Sequence, residues 1–362
     1  MAMFPAQVEE VEASWLTQSL RSGGVLAADS QVTEFDIEPI GMGIGIMGLL
    51  YRLSLRYDSD RAGPATVVLK LASTDPQARH VARAFRFYEK EVGFYRDFAP
   101  LTPIPTTACY AADHNLETDD FVLLLEDVGY AAVHSQVDGC PPGAALLTVR
   151  NLARHHAAFA DSVLFDDPAF AWVPFGSDSP TPEGVVQGMA DSWGPFQESF
   201  PELVTDELAA IMERFATSAR SLLTVKEGRP ITLVHGDYRL DNLFFSADGR
   251  VTAIDWQVCT KGPFAYDLAY FMTQSLTIDD RRAHEAALID AYLDELRACG
   301  VDHDRDMLTD DYRATTMFCL CYPIQAGRIE LVNDRARALI VDMFNRAMTA
   351  ISDHNATEFL LV

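Results

Sequence analysis

The residues best suited to chemistry in this chain lie in Leu233-Val234-His235-Gly236-Asp237-Tyr238-Arg239-Leu240-Asp241-Asn242 and, a little further on, in Ile254-Asp255-Trp256. Two carboxylates, a carboxamide and a guanidinium at these spacings suit transfer of a phosphoryl group. That reaction needs a positioned hydroxyl, metal ions bridging the phosphates and positive charge on the group in flight. Asp237 could orient the acceptor hydroxyl and take its proton. Asn242 and Asp255 could offer oxygen ligands to magnesium, a hard cation, and Arg239 could reach the terminal phosphate. The flanking pattern is strand-like: Ile231 to Val234 leads in, Leu243 to Phe245 leads out, Asp248-Gly249 makes a turn and Val251 to Ile254 returns. Such a hairpin is expected to aim Asn242 and Asp255 at one spot. The competing reading, an ordinary strand end with a capping Asp, explains fewer of these residues.

The elements that must position this chemistry begin upstream. Gly41-Met42-Gly43-Ile44-Gly45-Ile46-Met47-Gly48 contains a G-x-G-x-x-G match at Gly43, Gly45 and Gly48, a weak signal when taken alone. In a dinucleotide-binding fold the glycines would open a helix, but here Tyr51 to Tyr57 alternates large apolar with polar residues, which is a strand. A glycine-rich turn between antiparallel strands lets backbone N–H groups approach phosphates without side-chain interference. In the next strand, Thr66 to Ala72, Lys70 is one ammonium in an apolar run, a costly placement unless it meets an anion. The α and β phosphates of a nucleotide are the expected anion. A long helix is expected over about Gln77 to Phe98, where spacing allows either Glu89 or Glu91 to pair with Lys70. Two more strands, near Thr107 to Ala112 and Phe121 to Leu125, would complete a five-stranded sheet.

Composition narrows the function classes. The 362 residues are 49% hydrophobic and 10% aromatic, enough for a large core and more than one subdomain. The formal charge is 28 − 53 = −25, so a polyanionic nucleic-acid partner would have to overcome long-range repulsion and none is expected. No run of eighteen apolar residues occurs and the N-terminus carries acids where a signal peptide would have bases, so a cytoplasmic protein with no membrane partner is expected. The six cysteines lack a paired framework and read as buried free thiols. A zinc site at Cys319 and Cys321 has the wrong spacing. After Pro141-Pro142-Gly143 the pattern turns helical, with a helix near Ala144 to Asp161 holding His155 and His156, read as packing or capping groups. Three more helices are expected near Asp280 to Ala298, Asp310 to Ile329 and Asp334 to Ser352. The aromatics between Phe165 and Phe200, among them Trp172, Trp193 and Phe196, could wall an apolar pocket or plug the core, and core is the reading preferred.

His-Gly-Asp, then Asn242, then Ile-Asp-Trp resembles the signature of the aminoglycoside phosphotransferase and choline kinase superfamily. The run Asp255-Trp256-Gln257 with Gly262-Pro263 places the chain nearest the ecdysteroid-kinase-like and bacterial phosphotransferase branch. The resemblance runs from about Ile40 to the last helices and is specific only in the central block. It implies a bilobal protein-kinase-like α+β fold: a small antiparallel β lobe with one long helix, residues 1–127, and a larger, mainly helical lobe, residues 128–362. It also implies an ATP- and magnesium-dependent enzyme phosphorylating a hydroxyl of a small molecule. By the same resemblance Glu91 rather than Glu89 pairs with Lys70, main chain around Leu124, Leu125 and Glu126 meets the adenine edge, and Asp267 braces the catalytic loop together with His235. Asp267 also fits the N-cap of an apolar helix on structural grounds. Tyr238-Arg239-Leu240-Asp241 departs from the filling frequent in aminoglycoside-modifying members, so that acceptor does not follow. A nucleotide-binding module without turnover is the alternative. A protein kinase is disfavoured because the Ala-Pro-Glu element and activation segment are missing.

Overall fold

The computed structural model describes residues 4–41, 47–59, 62–327 and 334–361. By contacts the chain forms two units: residues 1–132 together with 252–258, and residues 133–251 together with 259–362.

The first unit is built on an antiparallel sheet of β1 (Val32–Ile40), β2 (Gly48–Tyr57), β3 (Thr66–Ala72), β4 (Cys109–Asn115) and β5 (Asp120–Glu126), in the order β1-β2-β3-β5-β4. Because strand side chains alternate between faces, Val67, Leu69 and Leu71 of β3 enter one core with Leu53, Leu55, Val122 and Leu124. Lys70 is thereby turned to the opposite face, in register with Leu50 on one side and Leu123 on the other. The first core is closed by α1 (Ala13–Ser22), whose Leu16 and Leu20 are fully buried. This helix lies upstream of the segment that carries the family resemblance.

The helix expected over Gln77 to Phe98 is divided. After α2 (Pro76–Ala84), capped by Asp75 accepting from the Ala78 N–H at 2.7 Å, the chain breaks at Arg86, whose φ of 56° is left-handed. It resumes as α3 (Phe87–Gly93) and then widens into a π-helical turn, Phe94–Phe98. The left-handed residue interrupts the i to i+4 ladder, and periodicity alone does not register such a break. Tyr88 of α3 stacks on Phe121 with ring centroids 4.2 Å apart, holding α3 against the Lys70 face of the sheet.

The second unit is mainly helical: α4 (Pro142–Ala158), α5 (Thr181–Ser199), α6 (Asp206–Leu223), α7 (Ala265–Ser275), α8 (Ile278–Ala298), α9 (Arg305–Phe318), α10 (Cys321–Ala326) and α11 (Asp334–Asp353). Short strands β6 (Ile231–Val234), β7 (Leu243–Phe245) and β9 (Thr260–Pro263) frame the loops; of β8 (Val251–Ala253) only Val251 belongs to this unit. β6 pairs antiparallel with β9, from Ile231 opposite Pro263 to Val234 opposite Thr260. The helix expected over Asp310 to Ile329 is two pieces, α9 and α10, separated at Cys319 and Leu320. Phe196 is buried in the core of this unit with Phe200, Phe215 and Phe318. α7 is buried on every side from Asp267 to Ser275, polar residues included. A helix buried all round must satisfy its polar groups internally, which is how it comes to hold a loop in place. Cys140, Cys259, Cys319 and Cys321 are the buried free thiols expected, but Cys109 is only half-buried and Cys299, at the end of α8, is exposed.

Leu16 fills a fully buried position, so Leu16→Ala should lower the unfolding free energy by about 3 kcal/mol in urea titration. A loss below about 1 kcal/mol would mean that α1 is not part of the first core.

Candidate active site

In the first unit the ammonium of Lys70 lies against two carboxylates. Nζ donates to Glu91 at 2.8 Å and to Asp255 at 3.0 Å. Burial by itself would lower the lysine's pKa, but the charges of Asp255 and Glu91 outweigh it and hold the ammonium above its ordinary value. Glu91, buried on α3, is pushed upward by that same burial, with Lys70 opposing the shift. Glu89, the other candidate partner, pairs instead with Arg86 at 2.6 Å.

Asp255 reaches Lys70 because residues 252–258 belong to the first unit. The Ala253 N–H donates to the Pro105 carbonyl at 2.9 Å. The indole of Trp256 then stacks on Phe94, centroids 3.7 Å apart and planes within 5°, and its Nε1–H donates to the Ala253 carbonyl at 3.2 Å. Asp255 between them takes a left-handed φ of 64°, a conformation Asp tolerates better than most residues. A side chain held this way is aimed by its neighbours rather than by its own preference.

Of the glycine loop, Gly43 and Gly45 lie outside the described residues. Gly48 begins β2, and a Cβ there would stand 3.1 Å from the Leu71 carbonyl and 3.4 Å from the Lys70 side chain. Glycine therefore allows β2 to run close to the lysine. Tyr88 ties the end of the loop by donating to the Met47 carbonyl at 2.6 Å. Leu124 sits mid-strand in β5 between Leu69 and Ala111, and the Glu126 N–H donates to the Ala108 carbonyl at 2.8 Å. These main-chain groups are engaged within the sheet.

In the second unit, Asp267 organises the His-Gly-Asp turn. It stands in the first turn of α7 rather than at the N-cap, which is Phe264. Its carboxylate accepts the N–H of His235 at 2.6 Å and that of Gly236 at 2.8 Å, and meets His156 Nε2 at 3.2 Å. Burial would raise this carboxyl, but the His156 ring and the Gly236 N–H leave it below its ordinary value. Gly236 has a φ of 86°, so the sharp turn needs glycine. His235 returns a bond through Nδ1 to the Asp237 N–H at 3.2 Å.

That turn delivers Asp237 into a cluster of donors. Asn242 Nδ2 donates to its Oδ2 at 2.9 Å, Arg239 Nε to its Oδ1 at 3.1 Å, and the Tyr270 hydroxyl to its Oδ1 at 2.8 Å. Arg239 is shared with Asp241, which its Nη1 also contacts. The guanidinium thus serves two carboxylates of its own loop. Asn242 is fixed by a 3₁₀ turn, Leu240–Asn242, whose Leu240 N–H is taken by the Ser275 hydroxyl at 3.2 Å.

The structure brings together Lys70, Glu91 and Asp255 in one unit, and His235, Asp237, Arg239, Asn242 and Asp267 in the other. Sequence reasoning passed over Tyr270, Trp256's partner Phe94, and the engagement of His156 with Asp267. The signal for Tyr270 was its place three residues after Asp267, on the same face of α7.

The model of the ecdysteroid kinase-like family matches residues 43–302. The chain belongs to that family. No curated protein matches the sequence. Solved structures with similar folds include a protein of Ralstonia eutropha JMP134 provisionally assigned as an aminoglycoside phosphotransferase, 16% identical, with a TM-score of 0.55 over 95% of this chain and 98% of that one. Plasmodium vivax ethanolamine kinase is 15% identical, with a TM-score of 0.53 over 90% and 82%. The amicoumacin kinase hAmiN in complex with AMP-PNP, Ca2+ and Ami is 11% identical, with a TM-score of 0.51 over 87% and 90%. At these identities the likeness speaks for the fold: a mixed α+β, kinase-like phosphotransferase fold. Among the described residues no helix is long and apolar enough to cross a membrane.

Asp267 accepts two main-chain donors in a buried place, so Asp267→Asn should cost about 3 kcal/mol at neutral pH by turning an amide NH2 toward a backbone N–H. The wild-type carboxyl is depressed in the fold. Its contribution is complete above the ordinary Asp value and is lost as pH falls through the lower folded value. The gap between wild type and variant in urea titrations should therefore shrink on acidification. A gap independent of pH would contradict the assigned role.

Proposed function

We propose that this protein transfers the γ-phosphoryl group of ATP, with magnesium, to a hydroxyl of a small molecule. The observation that carries the reading is Asp237 held by donors from Asn242, Arg239 and Tyr270 at the end of a turn braced by Asp267. A carboxylate so surrounded is a well-oriented acceptor. In-line phosphoryl transfer through a loose transition state asks mainly for orientation of the attacking hydroxyl. Family membership supports the reaction class.

Each proposed group has a task it is chemically fitted to. Lys70 would neutralise the α and β phosphates, taking up an anion where it now has Glu91 and Asp255. Asp255 and Asn242 would each offer an oxygen to magnesium: Asp255 a carboxylate, and Asn242 its carbonyl, since its NH2 donates to Asp237. Among the described residues no group of three His, Cys, Asp or Glu is assembled to hold an ion alone, which suits a cation completed by phosphate oxygens. Magnesium would supply charge neutralisation of the phosphates. The glycines at 43, 45 and 48 would approach the phosphates by main chain. Because the Leu124 main chain and the Glu126 N–H are engaged in the sheet, adenine would meet the main chain from the Glu126 carbonyl onward. Arg239, tied to Asp237 and Asp241, would act first by fixing Asp237. The acceptor would be a small alcohol of the kinds named for relatives and neighbours: a steroid, an amino alcohol or an amino sugar.

ATP consumption measured across steroids, amino alcohols, amino sugars and macrolides should rise with at least one acceptor. Asp237→Asn should lower that turnover by about 10²- to 10⁴-fold while leaving ATP affinity within a few-fold. Acceptor-independent behaviour with all classes would leave only a nucleotide-binding module. Asp255→Ala should weaken ATP binding about tenfold or more with magnesium present and little in EDTA. Equal affinities in both conditions would remove Asp255 as a metal ligand.

A further inference from the structure

Tyr270 has so far appeared only as one of three donors to Asp237, and its buried hydroxyl is spent on that carboxylate. It lies on α7 three residues after Asp267, so one helical face carries two contacts to the same loop. Asp267 accepts the main-chain N–H groups of His235 and Gly236, and Tyr270 donates to the side chain of Asp237 at 2.8 Å. The ring of Tyr270 is itself seated against Tyr322 of α10, centroids 4.5 Å apart. Tyr322 in turn donates to the Gly236 carbonyl at 3.3 Å and meets the Tyr266 hydroxyl at 3.1 Å. Three tyrosines from two helices thus close around a single turn of chain. A phenol placed only to fill space would gain more from an apolar neighbour than from a half-buried carboxylate, which must find donors for the water it has lost.

We propose that Tyr270 is a positioning residue for the phosphotransfer reaction: its hydroxyl, seated by the Tyr322 ring, fixes the orientation of the Asp237 carboxylate. The assignment rests on the reaction proposed above and adds to it a group that touches neither nucleotide nor acceptor. The proton stays on Tyr270, because burial and then the neighbouring carboxylate hold the phenol well above its ordinary value, so its role is that of a fixed donor. The groups facing this pair are Arg239 and Asn242 from the loop, Asp241 through Arg239, Tyr322 from α10, and Cys319 at the end of α9.

The test is Tyr270→Phe, which removes one hydroxyl and keeps the ring. Crystal structures of the wild type and the variant are compared at Asp237, whose carboxylate should turn from its wild-type orientation once the 2.8 Å donor is gone. An unchanged carboxylate orientation overturns the proposal. With any acceptor the wild type turns over, kcat should fall about tenfold and KM for ATP should stay within about twofold. A lowered melting temperature with unchanged kcat and carboxylate orientation would make Tyr270 a packing residue. If no acceptor is turned over, the reaction assigned above fails while the structural comparison still decides Tyr270. Should Tyr270→Phe not fold, Tyr322→Leu, which removes the ring that seats Tyr270, should turn the same carboxylate. An unmoved carboxylate there overturns the proposal equally.

Discussion

A charge taken out of water must be matched where it stands, and this chain places its most consequential charges in just that position. Lys70 sits inside an apolar sheet, Asp267 at the buried start of α7, and Arg239 beside two carboxylates of its own loop. Each is costly alone and tolerable only with partners held at hydrogen-bond distance. The partners then cannot be chosen loosely. Glu91 must come from a helix laid on the correct face of the sheet, and the N–H groups for Asp267 must come from a turn that only glycine at 236 permits.

In the first unit this requirement explains features that would otherwise look incidental. The left-handed break at Arg86 and the π-helical turn at Phe94–Phe98 divide what periodicity presents as one helix. The pieces place Tyr88 on Phe121, Glu91 on Lys70 and Phe94 on Trp256. Widened turns of this kind are frequent where a helix must serve a site as well as a core. Trp256, by stacking on that segment, sets the direction of Asp255 from the adjacent residue.

In the second unit the same logic runs through one helix. α7 is too buried to solvate its polar side chains, and two of them, Asp267 and Tyr270, find their partners in the His235 to Asp237 turn. The loop is consequently fixed by contacts to both its main chain and the Asp237 side chain.

Much of this was legible in the sequence. His235-Gly236-Asp237, Asn242 and Asp255-Trp256 identified the superfamily, and β-alternation around Lys70 with the helical periods after Pro141 gave the α+β class. A one-dimensional pattern carries these because they depend on residue type and spacing. What it could not carry were contacts made across the fold: the division of the helix at Arg86, the inclusion of residues 252–258 with the N-terminal strands, the commitment of Arg239 to Asp237 and Asp241, and the bond from Tyr270. Asp267 shows the boundary well. Spacing marked it as a helix-start acid, but only the folded chain put two backbone donors and a histidine against its carboxylate. A buried charge advertises in sequence that it needs partners, while which partners it receives is decided by the faces that packing brings together.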